Sequence, residues 1–179
     1  MGYSPLNNPL KVILDVNLEG MVVVVVVEKD VVILWMFYGI FEVAEAAITA
    51  NSRTAFGQVR VLDDLITVGP NRSSEALGRA QGLITSADLT VSGIAMNMNF
   101  YFTAGKYNGS TLCILGRNPI DENDRELPVV GGTGDFRMAR GYSISNTYSY
   151  DPVANYGVLE YTVYVAVVEK SGYTAVSMI

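Results

Sequence analysis

The chemistry open to this chain is limited first by an absence: it contains no histidine. That removes Ser-His and Cys-His nucleophile arrangements, and with them the usual nitrogen ligand of zinc, copper and non-haem iron. Proton transfer must fall to Asp, Glu, Tyr, Lys or Arg. The single cysteine, Cys113, lies in the apolar run TLCILG, reads as a small core residue rather than a reactive thiol, and allows no intrachain disulfide. One stretch remains that could hold a ligand through its backbone: VVGGTGDFRMARGY, from Val129 to Tyr142. A strand, a glycine-rich turn and a helix hold a pyrophosphate against backbone N–H groups. Here Arg137 stands three residues after Gly134, where a small residue is needed for close helix–strand packing. The continuation RGYSISNTYSYDP alternates like a strand and carries Pro152 where a helix should run. Only about 45 residues follow, too few for the remaining βα units of a doubly wound sheet. The phosphate reading therefore fails.

The elements that must position any site belong to one domain, since 179 residues, half of them apolar, suffice for a single core. With 18 acidic against 12 basic residues and a net charge of −6, the chain is a poor partner for nucleic acid or an anionic membrane surface. No cofactor and no metal is implied. Two Asn-x-Ser/Thr sequons, at Asn71 and Asn108, fall in turn-like sequence and are candidate glycosylation sites. The start MGYSPLNNPLK lacks the basic, apolar and small-residue zones of a signal peptide. The apolar runs Met21 to Val27 and Val31 to Phe41 are split by Glu28, Lys29 and Asp30, and neither reaches the 18 or so residues of a membrane-spanning helix. They read as two β-type runs, or the second as the remnant of a displaced signal core.

From Phe56 onward, short β-type segments alternate with turns, which predicts an antiparallel sandwich or barrel. The clearest is IAMNMNFYFT: Ile94, Met96, Met98, Phe100 and Phe102 share one face, and Ala95, Asn97, Asn99, Tyr101 and Thr103 the other. Similar segments run Ala55 to Asp64, Leu77 to Ser86, Ser110 to Asn118, Phe136 to Tyr150 and Gly157 to Val168. Turns are read at GPNRSS, AGKYNG, NPIDENDRELP and YDPVANYG, and Phe41 to Ala50 is either strand or helix. With one or two strands from the first fifty residues the count approaches the eight of a small closed barrel, whose mouth can hold one ligand.

Taken in order, the segments FGQVRVLDDLITVGP, LGRAQG, YNGSTLCILGRNP, DRELPVVGGTGDFRMARGY, YSYDP and VLEYTVYV resemble the dirigent family of plant proteins over roughly Ala55 to Val168. Leu65 stands where that family usually has proline. The resemblance implies an all-β fold, an eight-stranded antiparallel β-barrel of the allene-oxide-cyclase type, assembling as a homotrimer and secreted to the apoplast. It implies three segments: an atypical stretch at 1–40, the candidate for the first strand, a barrel at 41–168 and a tail at 169–179. In this reading the glycines make a tight connection into a strand that begins near Phe136. Family members oxidise nothing themselves. A separate oxidase such as a laccase or peroxidase makes phenoxy radicals from a monolignol, and the barrel orients the pair, or the quinone methide they form, toward one stereoisomer in lignan and phenylpropanoid biosynthesis. Some relatives accelerate cyclisation or loss of water through a quinone methide.

The family's cavity carries two aspartates, an arginine and a tyrosine, and the resemblance carries them over one position at a time. The arginine is Arg125. Asn118 takes the place of one aspartate in GRNP, and an amide can donate and accept hydrogen bonds but lends no proton. Ile84 lies near the tyrosine's place. For the first-strand aspartate the chain offers Asp15 in VILDVNLEG. Each has a plain alternative. Arg125 either faces a pocket or pairs with Asp124 or Glu126 in a solvated loop. Asp63 and Asp64 read as turn-forming acids at a strand end, Arg79, Arg137 and Arg140 as outer-face residues, and Met96 and Met98 as core. Two functions are carried forward: a stereo-directing, non-oxidative auxiliary of monolignol coupling, and a defence-related or cell-wall barrel that binds a phenolic without catalytic consequence. For residues 1 to about 39 there are also two readings, a non-native reading frame fused to a barrel or a divergent first strand at its seam.

Overall fold

The computed structural model describes residues 12–18, 21–38, 40–153 and 156–168; the proposed tail at 169–179 lies outside them. Ten strands form there: β1 (Val12–Leu18), β2 (Met21–Tyr38), β3 (Ile40–Ala44), β4 (Val59–Thr67), β5 (Ala76–Ser86), β6 (Gly93–Phe102), β7 (Thr111–Pro119), β8 (Arg125–Thr133), β9 (Arg140–Asp151) and β10 (Tyr156–Val168). Every pairing is antiparallel, in the order β1-β2-β10-β9-β8-β7-β6-β5-β4-β3, and a further pairing of β2 with β4 closes the sheet on itself. The closed circuit is β2 and β4 to β10, an eight-stranded barrel, with β1 and β3 as outlying strands. Closure removes the unpaired edges that an open sheet would expose.

Period-two patterning decides which face points inward. On β6, Met96, Met98, Phe100 and Phe102 are buried while Ala95, Asn97 and Tyr101 are exposed, as the alternation predicts. Leu112 and Ile114 on β7, Leu127 and Val129 on β8, and Tyr161, Val163 and Val165 on β10 complete the core. The seam strand comes from the segment without family resemblance: β2 pairs with β10 from Tyr38↔Gly157 to Val27↔Val168, and Trp35, Met36 and Phe37 pair with Thr67, Ile66 and Leu65 of β4. Leu34 and Met36 point into the core. Ile40 of β3 then pairs with Leu62 of β4 in the register that β2 began, so β2 and β3 flank β4 one after the other.

Two sequence expectations are corrected. The stretch around NPIDENDRELP is not a turn throughout, because strand β8 begins at Arg125 and runs through the glycines to Thr133. The strand expected near Phe136 begins instead at Arg140, after a 3-10 turn at Gly134–Phe136. Gly134 has φ +62°, and an added Cβ would strike Ser110 Oγ; at Gly132 an added Cβ would meet Phe136 Cβ at 2.6 Å. The glycines thus let the chain fold Phe136 under the barrel, where its ring lies 4.7 Å from that of Tyr107 and 5.6 Å from that of Phe102. These rings plug one end, so any ligand must enter at the other.

Candidate functional site

At the opposite end lies a cavity of about 410 Å³, inside the range of roughly 300–1,000 Å³ usual for small-molecule sites. Its walls come from the C-terminal ends of β5, β7 and β9 and the N-terminal ends of β4, β6, β8 and β10, as antiparallel pairing dictates. Most of the lining is apolar, including Met36, Leu62, Ile84, Ile94, Met96 and Leu159. The polar groups are few: Arg60, Asn118, Asp121, Arg125, Thr147, Ser149 and the tyrosines 150 and 161.

Arg125 opens β8 with its side chain inward and is 4% exposed. Its Nε donates to Ser145 Oγ at 3.3 Å, and its Nη1 to Thr147 Oγ1 at 3.0 Å and to the carbonyl of Ile120 at 2.9 Å. The acid before it is engaged elsewhere: Asp124, at φ +50°, accepts from Asn146 Nδ2 at 3.0 Å, and its N–H donates to Asn146 Oδ1 at 2.8 Å. No carboxylate among the described residues forms an ion pair with Arg125. A buried guanidinium held by neutral acceptors alone keeps an unbalanced charge and a free Nη2, the arrangement in which an incoming oxygen with negative charge gains most.

Asn118 is 3% exposed on β7, donates Nδ2 to Met96 Sδ at 3.0 Å, and leaves Oδ1 without a partner. It can accept a hydrogen bond but supplies no proton. Ile84 forms wall where the resemblance implied a tyrosine hydroxyl. Asp15 is not brought to the cavity. Its backbone on β1 sits opposite Val24 of β2, twelve positions before Met36, which is roughly 40 Å of extended strand. The first segment reaches the site through β2.

The remaining candidates also find places. Asp63 and Asp64 are not strand-end acids but lie within β4 on opposite faces. Asp63 is exposed and meets Arg79 Nε at 2.7 Å, which holds its carboxyl below the usual carboxylate range; Asp64 is 2% exposed and faces the core. Arg140 caps the carbonyl of Val130 at 2.6 Å on the outside. Cys113 is not the core residue its apolar neighbours suggest, because strand parity sends Leu112 and Ile114 inward and leaves Cys113 half-buried on the outward face of β7. Asn71 and Asn108 are exposed in turns, and Asn71 Oδ1 accepts from the Ser73 hydroxyl at 2.8 Å and the Ser73 N–H at 3.0 Å. Missed at the sequence level were Arg60, Thr147, Ser149 and Tyr150, whose only signal was their place on strands, and Asp121, which lies in the turn between β7 and β8 and carried none.

Comparison with known proteins agrees with this geometry. The profile of a family described as dirigent-like protein matches residues 39–166. Dirigent protein 11 of Arabidopsis thaliana is 51% identical over 65% of this chain and 62% of its own length. Dirigent protein 21 of the same plant is 45% identical over 69% and 66%. Pterocarpan synthase 1 of Glycyrrhiza echinata is 44% identical over 69% and 66%. The matched part thus spans under two thirds of the first relative. A solved structure of a pterocarpan synthase dirigent protein superposes with a TM-score of 0.74 at 37% identity, covering 80% of this chain and 92% of the other.

Proposed function

The chain belongs to the dirigent family, and from that we propose that its cavity holds a phenolic radical pair, or the quinone methide the pair forms, and steers it to one stereoisomer. The oxidation is done elsewhere: a laccase or peroxidase removes one electron and one proton from each of two monolignols. The two radicals then pair their odd electrons in one new carbon–carbon bond. The protein's part is to present one pair of faces, since fixing two reactants in a single geometry replaces a random encounter by an oriented one.

The observation that carries this reading is Arg125: a buried guanidinium that, among the described residues, has no carboxylate partner and no partner on Nη2, in a largely apolar cavity. A quinone methide oxygen gathers negative charge as its ring regains aromaticity, and a fixed guanidinium stabilises that charge where water is sparse. Some relatives are named pterocarpan synthases, so ring closure on a quinone methide is a second reaction class for the same cavity. Asn118 favours a different reading, a barrel that binds the phenolic without catalysis, because no proton donor stands there. By the same membership we propose secretion to the apoplast, glycosylation at Asn71 and Asn108, and a homotrimer.

The test supplies folded protein, coniferyl alcohol and a one-electron oxidant, and separates the resulting pinoresinol by chiral chromatography. An enantiomeric excess that rises with protein concentration is expected. A racemic product at stoichiometric protein removes stereoselective coupling of this alcohol and leaves ring closure and plain binding as the readings of the cavity.

A further inference from the structure

A second guanidinium enters this cavity from the far wall. Arg60 lies on the inward-facing register of β4 with Leu62 and Ile66, pairs in the ladder with Ile84 of β5, and lines the same space as Arg125. In the barrel order β4 stands opposite β8, with three strands between them on either side. Arg60 Nη2 donates to Ser86 Oγ at 3.2 Å, while its Nε is buried without a hydrogen-bond partner. Like Arg125, it forms no ion pair with a carboxylate of the described residues. The one acidic side chain among the described lining residues, Asp121, is exposed and pairs with neither.

Two like charges in one small, mostly apolar cavity repel each other and raise its potential, and the neutral groups of the wall replace the hydration each loses only in part. A neutral phenol can satisfy one of them at most. We propose that Arg60 makes this cavity select phenolics that carry a carboxylate, of the 4-hydroxycinnamate class, over the corresponding neutral alcohols. The phenolic oxygen lies at Arg125 and the carboxylate at Arg60. Guanidinium is suited to this, because its planar fork matches a carboxylate with two parallel hydrogen bonds. The assignment rests on reading the cavity as the substrate site and adds the ligand's charge.

Ferulate and coniferyl alcohol share one ring and differ at the side-chain terminus, so they isolate the charge. Calorimetric titration of the unaltered protein at pH 7 is expected to give ferulate at least about tenfold tighter binding, a difference of about 1.4 kcal/mol. The advantage should shrink as salt is raised. In Arg60→Gln the ratio of the two affinities should fall toward one, and Arg60→Lys should keep part of it. Equal or tighter binding of coniferyl alcohol by the unaltered protein overturns the proposal while leaving the cavity as a phenolic site. Retention of the full ferulate advantage in Arg60→Gln, with its fold verified by circular dichroism, also overturns it. Failure of both ligands to bind would sink the cavity reading and this proposal together.

Discussion

Arg125 and Asn118 bring different groups to the cavity, one offering charge and the other only hydrogen bonds. Replacing Arg125 by Met removes an uncompensated buried charge along with its bonds to Ser145, Thr147 and the Ile120 carbonyl. The fold should tolerate this, since a lone buried cation contributes little net stability. A hydrogen bond to a charged group contributes about 1.5–3 kcal/mol, so affinity for a phenolic should fall tenfold or more in calorimetric titration while the melting temperature moves by only a few degrees. An unchanged affinity would mean that the ligand lies elsewhere. Asn118→Asp tests the missing acid from the other direction. The variant should accelerate the quinone methide step, and because only the protonated carboxyl can donate, that advantage should fade as pH rises through the new group's pKa. A rate equal to that of the unaltered protein at every pH would show that position 118 does not face the reacting atoms. The sequence made Arg125 and Asn118 readable through their neighbours DRELP and GRNP, whereas Arg60 carried no such mark, because VRVLDDLI places apolar and charged residues on both of its faces.

At the scale of elements, strand β8 shows why some structure was illegible. Arg125, Leu127 and Val129 point inward and Glu126, Pro128 and Val130 outward, a regular alternation whose first inward slot holds an arginine and whose second outward slot holds a proline. Charge and proline together read as a turn, so the residue that serves the site also hides the strand that carries it. Gly134 fixes the turn from β8 into β9. Gly134→Ala should cost about 1–2 kcal/mol from its left-handed backbone alone, and more from the clash with Ser110; denaturant unfolding should show a lowered midpoint at constant slope. The β5–β6 loop gives a pH prediction. Asp88 accepts from the Thr90 and Val91 N–H groups at 2.9 and 3.1 Å, from the Thr90 hydroxyl at 2.9 Å and from Arg117 at 3.1 Å, which together hold its carboxyl far below the ordinary value of 3.8. A lowered folded pKa adds stability above the unfolded pKa and withdraws it as pH falls toward the folded one. Asp88→Asn should therefore melt below the unaltered protein at pH 7, and the gap should narrow once pH drops under 3.8. A gap constant down to pH 2 would deny the loop its charge.

For the whole molecule, six strand segments and the dirigent order of motifs could be read from residues 55 to 168, but the closure could not. A barrel's seam is a relation between distant parts of the chain, and here one side of it lies in MVVVVVVEKDVVILWMFY, where no family motif and no clean alternation survive. The structure puts that stretch between β10 and β4, with Leu34 and Met36 fully buried and Met36 in the cavity wall. Burying two such side chains is worth about 3–6 kcal/mol, a large part of the 5–15 kcal/mol typical of a whole domain. Removing β2 would also strip the ladder partners of β10 and of Leu65 to Thr67 on β4, and two bare edges invite pairing with other chains. A chain that begins at Ile40 should accordingly lose its cooperative thermal transition, bind no phenolic and form aggregates larger than the full chain's assembly at room temperature. Scanning calorimetry alongside light scattering decides the matter. If the shortened chain keeps the oligomeric state of the full one and melts within a few degrees of it, the barrel closes without β2, and residues 1–39 are an appendage to a fold complete in itself.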